Sequence, residues 1–281
     1  MLVEKTKEII DHFNFKFNKN FGQNFLINEE ILIKTVEGMN LTEDSCVIEI
    51  GAGIGTLTQE MAKRCKKVVA IEIDDKLIPV LKETLGEYKN IKIIHNDVLK
   101  INFNSLIREE GLHNVKISAN LPYYVTTPVI TKIFTEKPQI ESLTLMLQKE
   151  AGDRIMAEPN TDEYGVISTL VQYNADVDRI CTVPPSSFIP QPRVDSVVIS
   201  IKMRKSPRVR VLDEELFFRI IKTSFNMRRK TLWNVLKQTG LPEEKLKAAF
   251  EASGVDSKRR GETLSLEEFA LLADEVKHKM L

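Results

Sequence analysis

The sequence predicts an α/β protein, a doubly wound and mostly parallel sheet followed by a small all-α C-terminal domain. Three observations lead there. Short apolar runs at residues 46–50, 67–73, 91–95, 115–119 and 142–147 alternate with stretches of helical period. Strands alternating with helices need crossover connections, which give a parallel sheet. The first run leads into a glycine-rich turn, Gly51-Ala52-Gly53-Ile54-Gly55, and beyond Asp213 the pattern is helical to the end of the chain.

Taken in order, residues 4–12 read as a helix and residues 14–24, rich in Asn, Lys and Phe, as a loop. Asn28 is placed to cap a helix running to about Gly38, with Ile31 and Val36 on its apolar face. The strand at 46–50 and the glycine turn open a helix at 56–64; a strand at 67–73, a helix at 76–85 and a strand at 91–95 ending in Asn96-Asp97 follow. The strand at 115–119 ends in Asn120-Leu121-Pro122-Tyr123-Tyr124, ahead of a helix at 128–134 and a strand at 142–147. Two later β-like runs, 175–183 and 195–203, flank a proline-rich stretch that holds Phe188, and they are expected to extend the sheet as an antiparallel edge pair. Lys205-Ser206-Pro207 marks a change of character. The expected domains are therefore 1–208 and 209–281, the second built from helices at 214–225, 230–238, 242–252 and 265–279, with Gly240, Gly254 and Gly261 as helix stops.

Composition excludes several classes of function. The chain has 281 residues, 42% hydrophobic and 28% charged, as in ordinary globular proteins. No apolar run approaches the ~20 residues that span a bilayer. The first eleven residues are charged and lack an apolar signal core, so an intracellular protein is expected. Cys46, Cys65 and Cys181 are too scattered for a disulfide framework or a zinc site, and reduced thiols are expected. His12, His95, His113 and His278 are equally dispersed and suggest neither a metal cluster nor a nucleophile triad. With 40 basic and 40 acidic residues, any nucleic-acid surface must be a local patch.

Glycines in the Gly51–Gly55 turn let backbone approach a ligand closely. The dinucleotide fingerprint wants a further glycine where this chain has Thr56. Glu72, about 20 residues on, ends the next strand where a carboxylate reaches ribose hydroxyls. Asp97 ends the third strand, where it can accept from an adenine amine. Strand-end acids and glycine turns are each common, but together these groups favour an adenosine-containing cofactor without a pyrophosphate, S-adenosylmethionine. Glu49 lies within the first strand and reads as a core-edge acid or a helper to the site. For the Asn120 turn two readings stand. Its tyrosines could simply cap the core, or the Asn120 amide oxygen and the Leu121 carbonyl could accept from an exocyclic amine while Tyr123, after the rigid Pro122, stacks on the base. Phe188 is either an anchor packed on the core or the second wall of such a slot. Basic residues cluster at Lys202, Arg204, Lys205, Arg208 and Arg210, at Arg228-Arg229-Lys230, and at Lys258-Arg259-Arg260. A charge run is usually a solvated face, but three in the last third of the chain suggest a phosphate-contacting surface.

Five motifs occur in a set order: Phe21-Gly22-Gln23-Asn24-Phe25-Leu26; Glu49-Ile50-Gly51-Ala52-Gly53-Ile54-Gly55-Thr56-Leu57-Thr58; the Asn120–Tyr124 turn; Phe188-x-Pro190-x-Pro192-x-Val194-Asp195-Ser196; and Phe225-x-Met227-Arg228-Arg229-Lys230-Thr231-Leu232. With them the chain resembles the small-subunit ribosomal RNA adenine dimethyltransferases almost end to end. It departs in carrying Ala52 where many members have Pro, and Trp233 where a polar or basic residue is frequent. The resemblance implies a Rossmann-like class I methyltransferase domain and a C-terminal helical RNA-recognition domain. The implied activity is S-adenosylmethionine-dependent N6,N6-dimethylation of two adjacent adenosines near the 3′ end of 16S-type rRNA, with a role in subunit biogenesis. A cytoplasmic monomer with no metal and no membrane partner is expected. By the resemblance Asn24, Leu26, Gly51, Glu72, Asp97 and Asn120 line the donor site, joined by Gly53 from the glycine turn. Asn120, Leu121, Pro122, Tyr123 and Phe188 are expected to hold the adenine, and Arg204, Lys205, Arg208, Arg228, Arg229 and Lys230 to hold RNA. A 23S rRNA adenine methyltransferase of the macrolide-resistance type and a non-catalytic assembly or transcription factor on the same fold remain open at this point.

Overall fold

The computed structural model describes residues 2–18, 22–121 and 125–280. Phe21, Pro122, Tyr123 and Tyr124 lie outside the described residues. Helix α1 (Leu2–His12) and the two-residue strand β1 (Phe25–Leu26) precede α2 (Glu29–Gly38). Asn28 caps α2 as its position predicts, its side chain accepting from the Ile31 N–H at 3.2 Å.

The alternation then unfolds as β2 (Cys46–Ile50), α3 (Thr56–Ala62), β3 (Lys67–Glu72), α4 (Leu77–Thr84), β4 (Ile91–His95), α5 (Phe103–Glu109), β5 (Val115–Asn120), α6 (Thr126–Glu136) and β6 (Ser142–Gln148). Every residue of β2 is buried, Glu49 included, as befits a parallel strand covered on both faces. After β6 come α7 (Lys149–Met156), α8 (Val166–Asn174), β7 (Ala175–Val183), β8 (Phe188–Ile189) and β9 (Ser196–Met203). The C-terminal helices are α9 (Glu214–Asn226), α10 (Leu232–Leu236), α11 (Glu243–Ser253) and α12 (Leu266–Met280).

The seven-stranded sheet has the order β4-β3-β2-β5-β6-β9-β7. Pairing is parallel from β4 through β6, and β9 joins β6 antiparallel, with Leu145 opposite Ile199. The two late runs thus do occupy the edge. A second, two-stranded sheet pairs β1 with β8, Leu26 opposite Phe188.

The chain divides into two compact units, Met1–Gly152 with Asp176–Met203, and Asp153–Ala175 with Arg204–Leu281. A single break near residue 208 therefore does not describe the chain, because the stretch ahead of β7 packs with the C-terminal helices. Tyr164 and Tyr173 supply the reason: both are buried aromatics, Tyr164 set edge-on to Phe225 at 5.4 Å and Tyr173 beside Phe217 at 5.3 Å. Helix α8 escapes a sequence reading because it starts at Gly165, which has no capping side chain. The Ser168 hydroxyl accepts the Gly165 N–H instead, at 3.0 Å.

On α9 the buried positions Phe217, Ile220, Ile221, Ser224 and Phe225 form a helical stripe against Phe250, Phe269 and Val276. Gly254, at φ 69°, ends α11 as expected, and Gly240 ends the 3₁₀ turn after α10. Gly261 does something else. It begins a 3₁₀ turn and packs on α9, where an added Cβ would lie 2.4 Å from the Ser224 Cβ. Among the described residues, no helix is long and apolar enough to cross a membrane.

Candidate functional site

From β2 the chain winds outward through β3 and β4, then returns to place β5 on the other side of β2. This reversal opens a crevice at the carboxyl ends of the strands, where open α/β sheets bind ligands. The register brings the candidate residues to its rim. Ile50 lies opposite both Ile71 and Ala119, so Gly51, Glu72 and Asn120 each begin the exit from neighbouring strands at one level. Glu72 lies opposite His95, and Asn96 and Asp97 step out just beyond. One cleft is lined by Asn24, Leu26, Gly51, Gly53, Glu72, Asp97, Asn120, Leu121 and Phe188. Every described residue expected to bind the donor or hold the base is among them.

The glycine turn takes its shape from left-handed backbone at Gly51 (φ 77°) and Gly53 (φ 61°). Gly51 N–H donates to the Ile71 carbonyl at 2.8 Å, and Gly53 N–H donates to Glu72 Oε2 at 2.8 Å. A Cβ at Gly53 would lie in contact with the Phe25 ring, at 3.4 Å. Glu72 is only 5% exposed, and its Oε1 accepts the N–H groups of Ile73 and Asp74, both at 2.9 Å. Burial holds its carboxyl above the usual range, and the three backbone N–H donors oppose that shift. Two bonds on Oε1 and one on Oε2 leave acceptor capacity on Oε2 for a ligand hydroxyl. Asp97 uses Oδ1 to cap the turn at Val98–Lys100, accepting from Leu99 N–H at 2.9 Å.

Glu49, 2% exposed, lines the same cleft and receives the Thr58 hydroxyl at 2.5 Å. Burial pushes its carboxyl up to about 8, against the Thr58 bond and with a smaller contribution from Glu72. The Asn120 Nδ2 donates to the Asn24 carbonyl at 3.2 Å, so the amide's donor end is committed and its oxygen is the end left to accept. Leu121 is fixed by its N–H, which donates to the Met146 carbonyl at 3.0 Å. Phe188 is 2% exposed and packs with Leu26, Met146 and Val198 while lining the cleft. Core anchor and cleft wall are thus the same ring.

Sequence reasoning passed over Gln23, Asp74 and Ser187. Gln23 Nε2 donates to Asp74 Oδ2 at 2.5 Å, 51 residues away. The Ser187 carbonyl accepts Ile27 N–H at 2.8 Å, and its hydroxyl accepts from Asn28 Nδ2 at 3.2 Å. No local pattern announces such distant partners.

In the second unit the basic runs divide by role. Arg228 is held by Glu262 at 2.9 Å and by the Asp162 carbonyl at 3.0 Å, and Arg259 is clamped by Glu268 and the Thr263 carbonyl. Arg229, Lys230, Lys258 and Arg260 are exposed. The Leu232 and Trp233 N–H groups donate to the carbonyls of Arg259 and Ser257 at 2.8 and 3.0 Å, which sets the two runs side by side. Arg204, Lys205 and Arg208 are also exposed at their side chains, and the N–H groups of Arg204 and Arg208 bond the carbonyls of Asn174 and Tyr173. Among the described residues no group of His, Cys, Asp or Glu is placed to hold a metal ion.

Comparison with known proteins gives the family and the fold. The profile of the ribosomal RNA adenine dimethylase family matches residues 14–278. A ribosomal RNA small subunit methyltransferase A of Clostridium botulinum strain Okra is 54% identical over 269 residues, covering 96% of this chain and 97% of that protein. The protein of the same name from Clostridium acetobutylicum is 53% identical over 271 residues, covering 96% and 98%. Among solved structures, a dimethyladenosine transferase from Plasmodium falciparum superposes with a TM-score of 0.81 at 26% identity, covering 92% of this chain and 98% of that one. The 23S rRNA methyltransferase ErmE, at TM-score 0.71 and 23% identity over 90% of this chain and all of that one, shares the fold. A family profile that runs nearly from end to end, together with relatives more than half identical, settles the matter: the chain belongs to the ribosomal RNA adenine dimethylase family.

Proposed function

We propose that this chain carries out S-adenosylmethionine-dependent N6,N6-dimethylation of two adjacent adenosines near the 3′ end of 16S-type rRNA, acting as a cytoplasmic monomer on the small subunit or its precursor. The observation that carries the reading is the Asn120 amide, whose donor end is occupied by the Asn24 carbonyl and whose oxygen is left to accept beside the glycine turn. The names of its half-identical relatives support the small-subunit target.

The cleft fits the donor. Glu72 has acceptor capacity for ribose hydroxyls, the loop at Gly51 and Gly53 has no side chains in the way, and Asp97 stands where an adenine amine can donate. When bound, S-adenosylmethionine supplies a methyl group already activated on a sulfonium, so the protein need not provide a strong base. Adenine N6 is a poor nucleophile because its lone pair is delocalised into the ring. Asn120 Oδ1 and the Leu121 carbonyl accept the two N6 hydrogens, which favours a tetrahedral nitrogen and frees the lone pair. Phe188 and Tyr123, the latter outside the described residues, hold the extruded base. Alignment of this kind lowers a barrier by as much as ~7–11 kcal/mol, and acceptors aimed at the developing charge add to it. Unstacking the base costs a few kcal/mol, roughly, and less in a loop than in a duplex. The proton departs to solvent. After the first methyl, N6 keeps one hydrogen and needs only one of the two acceptors.

Incubation with a radiolabelled methyl donor tests this reading. Small subunits lacking the modification should acquire label recovered as N6,N6-dimethyladenosine. Label recovered only from large-subunit RNA, or none from either, would overturn it.

A further inference from the structure

The loop at residues 22–26 carries the carbonyl that orients Asn120, as well as Asn24 and Leu26 of the cleft wall. Its own sequence does not explain why it stays in place. On one side the β1–β8 pairing ties it down. On the other side the tie is Gln23. Its Oε1 accepts the Asn18 N–H at 2.8 Å, and its Nε2 donates to Asp74 Oδ2 at 2.5 Å. Asp74 is itself held on both sides: it is 2% exposed, its Oδ1 accepts the Lys76 N–H at 3.0 Å, and its N–H donates to Glu72 at 2.9 Å. A continuous line of residues therefore joins the end of β3 to the end of β5, through Glu72, Asp74, Gln23, Asn24 and Asn120.

We propose that Gln23 and Asp74 are positioning residues for methyl transfer: their hydrogen bond latches the loop so that the Asn24 carbonyl meets Asn120 Nδ2 and turns Asn120 Oδ1 toward the substrate amine. This rests on the amine-clamp reading of Asn120. An amide presents a donor and an acceptor of nearly equal shape, and only its partners decide which faces the cleft. Without the Asn24 carbonyl in place, Asn120 can turn its NH₂ toward an amine that itself needs an acceptor. A displacement of about 1 Å at a reacting group costs on the order of 10² in rate.

The chemistry of the latch gives its test. Gln23 must accept at one end and donate at the other, whereas Asp74 only accepts. Gln23→Glu still accepts from Asn18 but turns a carboxylate against the Asp74 carboxylate. Adding Asp74→Asn supplies an N–H there and restores the bond with donor and acceptor exchanged, at unchanged net charge. The full chain is assayed at saturating donor and small-subunit substrate, with melting temperature measured beside kcat and Asn120→Ala run in parallel. Gln23→Glu should lower kcat by about tenfold or more, and the Gln23→Glu/Asp74→Asn pair should recover it to within about threefold of the parent. Gln23→Met, which keeps the length but has no polar end, should lose kcat without recovery by Asp74→Asn, and it carries the test should the charged variant fail to fold. Undiminished kcat in Gln23→Glu or in Gln23→Met overturns the latch, as does a folded exchanged pair no faster than Gln23→Glu alone. If Asn120→Ala keeps full kcat, the clamp reading itself fails. An inactive Asn120→Ala beside a fully active Gln23→Met rejects the latch only.

Discussion

The Asn120 amide nitrogen and the Asn24 carbonyl oxygen, 96 residues apart in sequence, lie 3.2 Å apart, and both residues line the cleft. This bond decides which end of the Asn120 amide is left over, because it commits the donor end to the protein and leaves the oxygen to accept; in the proposed reaction that oxygen meets the substrate amine. Asn120→Ala removes the acceptor while leaving Glu72, Asp97 and the glycine turn untouched. The expected outcome is a fall in single-turnover methyl transfer of about 10²–10³, with a much smaller loss of donor affinity. Equal losses in rate and in equilibrium binding would make Asn120 a donor-site residue only.

Glu72 holds three backbone N–H groups, from Gly53, Ile73 and Asp74. Glu72→Gln exchanges one carboxylate oxygen for an NH₂ that must face one of these donors. Leaving a buried N–H without its acceptor costs about 1–3 kcal/mol, so both folding stability and donor binding should fall. Thermal unfolding with and without S-adenosylhomocysteine reads the two effects. A variant with unchanged melting temperature that merely binds the donor less well would show that Glu72 does not brace the turn.

The sheet was legible because each parallel strand is an apolar run bounded by a turn, and Asn28 announces its helix by residue type alone. The cleft was legible where a local signature exists, as at Gly51–Gly55 and at the strand ends of Glu72, Asp97 and Asn120. What escaped depends on distant partners. Gln23 stood in plain view within a motif, but its side-chain partner is Asp74, 51 residues on. Arg228 and Arg229 look alike within their run, yet Arg228 is also tied to Glu262 and the Asp162 carbonyl. Gly261 looked like a helix stop, but what requires it is Ser224 across the packed face of α9.

That division among the arginines makes a prediction for RNA. Arg229 and Lys230 are exposed, so Arg229→Ala and Lys230→Ala should weaken binding and lower the slope of log K against log salt by ~0.7–0.9 for each phosphate no longer neutralised. Arg228→Ala should also cost stability, about 0.2–1 kcal/mol for a half-exposed ion pair, and so lower the melting temperature where Arg229→Ala does not. Trp233 is the chain's one tryptophan, and its N–H holds the 257–259 loop beside this run. Its emission should change on RNA binding in the parent and change less in the Arg229→Ala/Lys230→Ala pair. An unaltered salt slope in both single variants would return the run to a solvated face.

Glu49 gives the pH dependence. Burial raises its carboxyl from an ordinary 4.5 to about 8 in the folded chain. Below pH 4.5 both folded and unfolded chains hold the proton. Between there and about 8 the unfolded chain has released it while the folded chain keeps it, so stability falls as pH rises through this window and levels off above it. The full window is worth on the order of 3–5 kcal/mol at ~1.4 kcal/mol per pH unit. Glu72 shifts in the same direction for the same cause and adds to the slope. Glu49→Gln keeps an oxygen to accept from Thr58 and removes the titration. Melting temperatures measured from pH 5 to pH 8.5 should therefore fall more steeply for the parent than for Glu49→Gln, by about 2–4 °C for each kcal/mol. Parallel profiles for the two proteins would mean that Glu49 is ionised in the folded cleft at neutral pH.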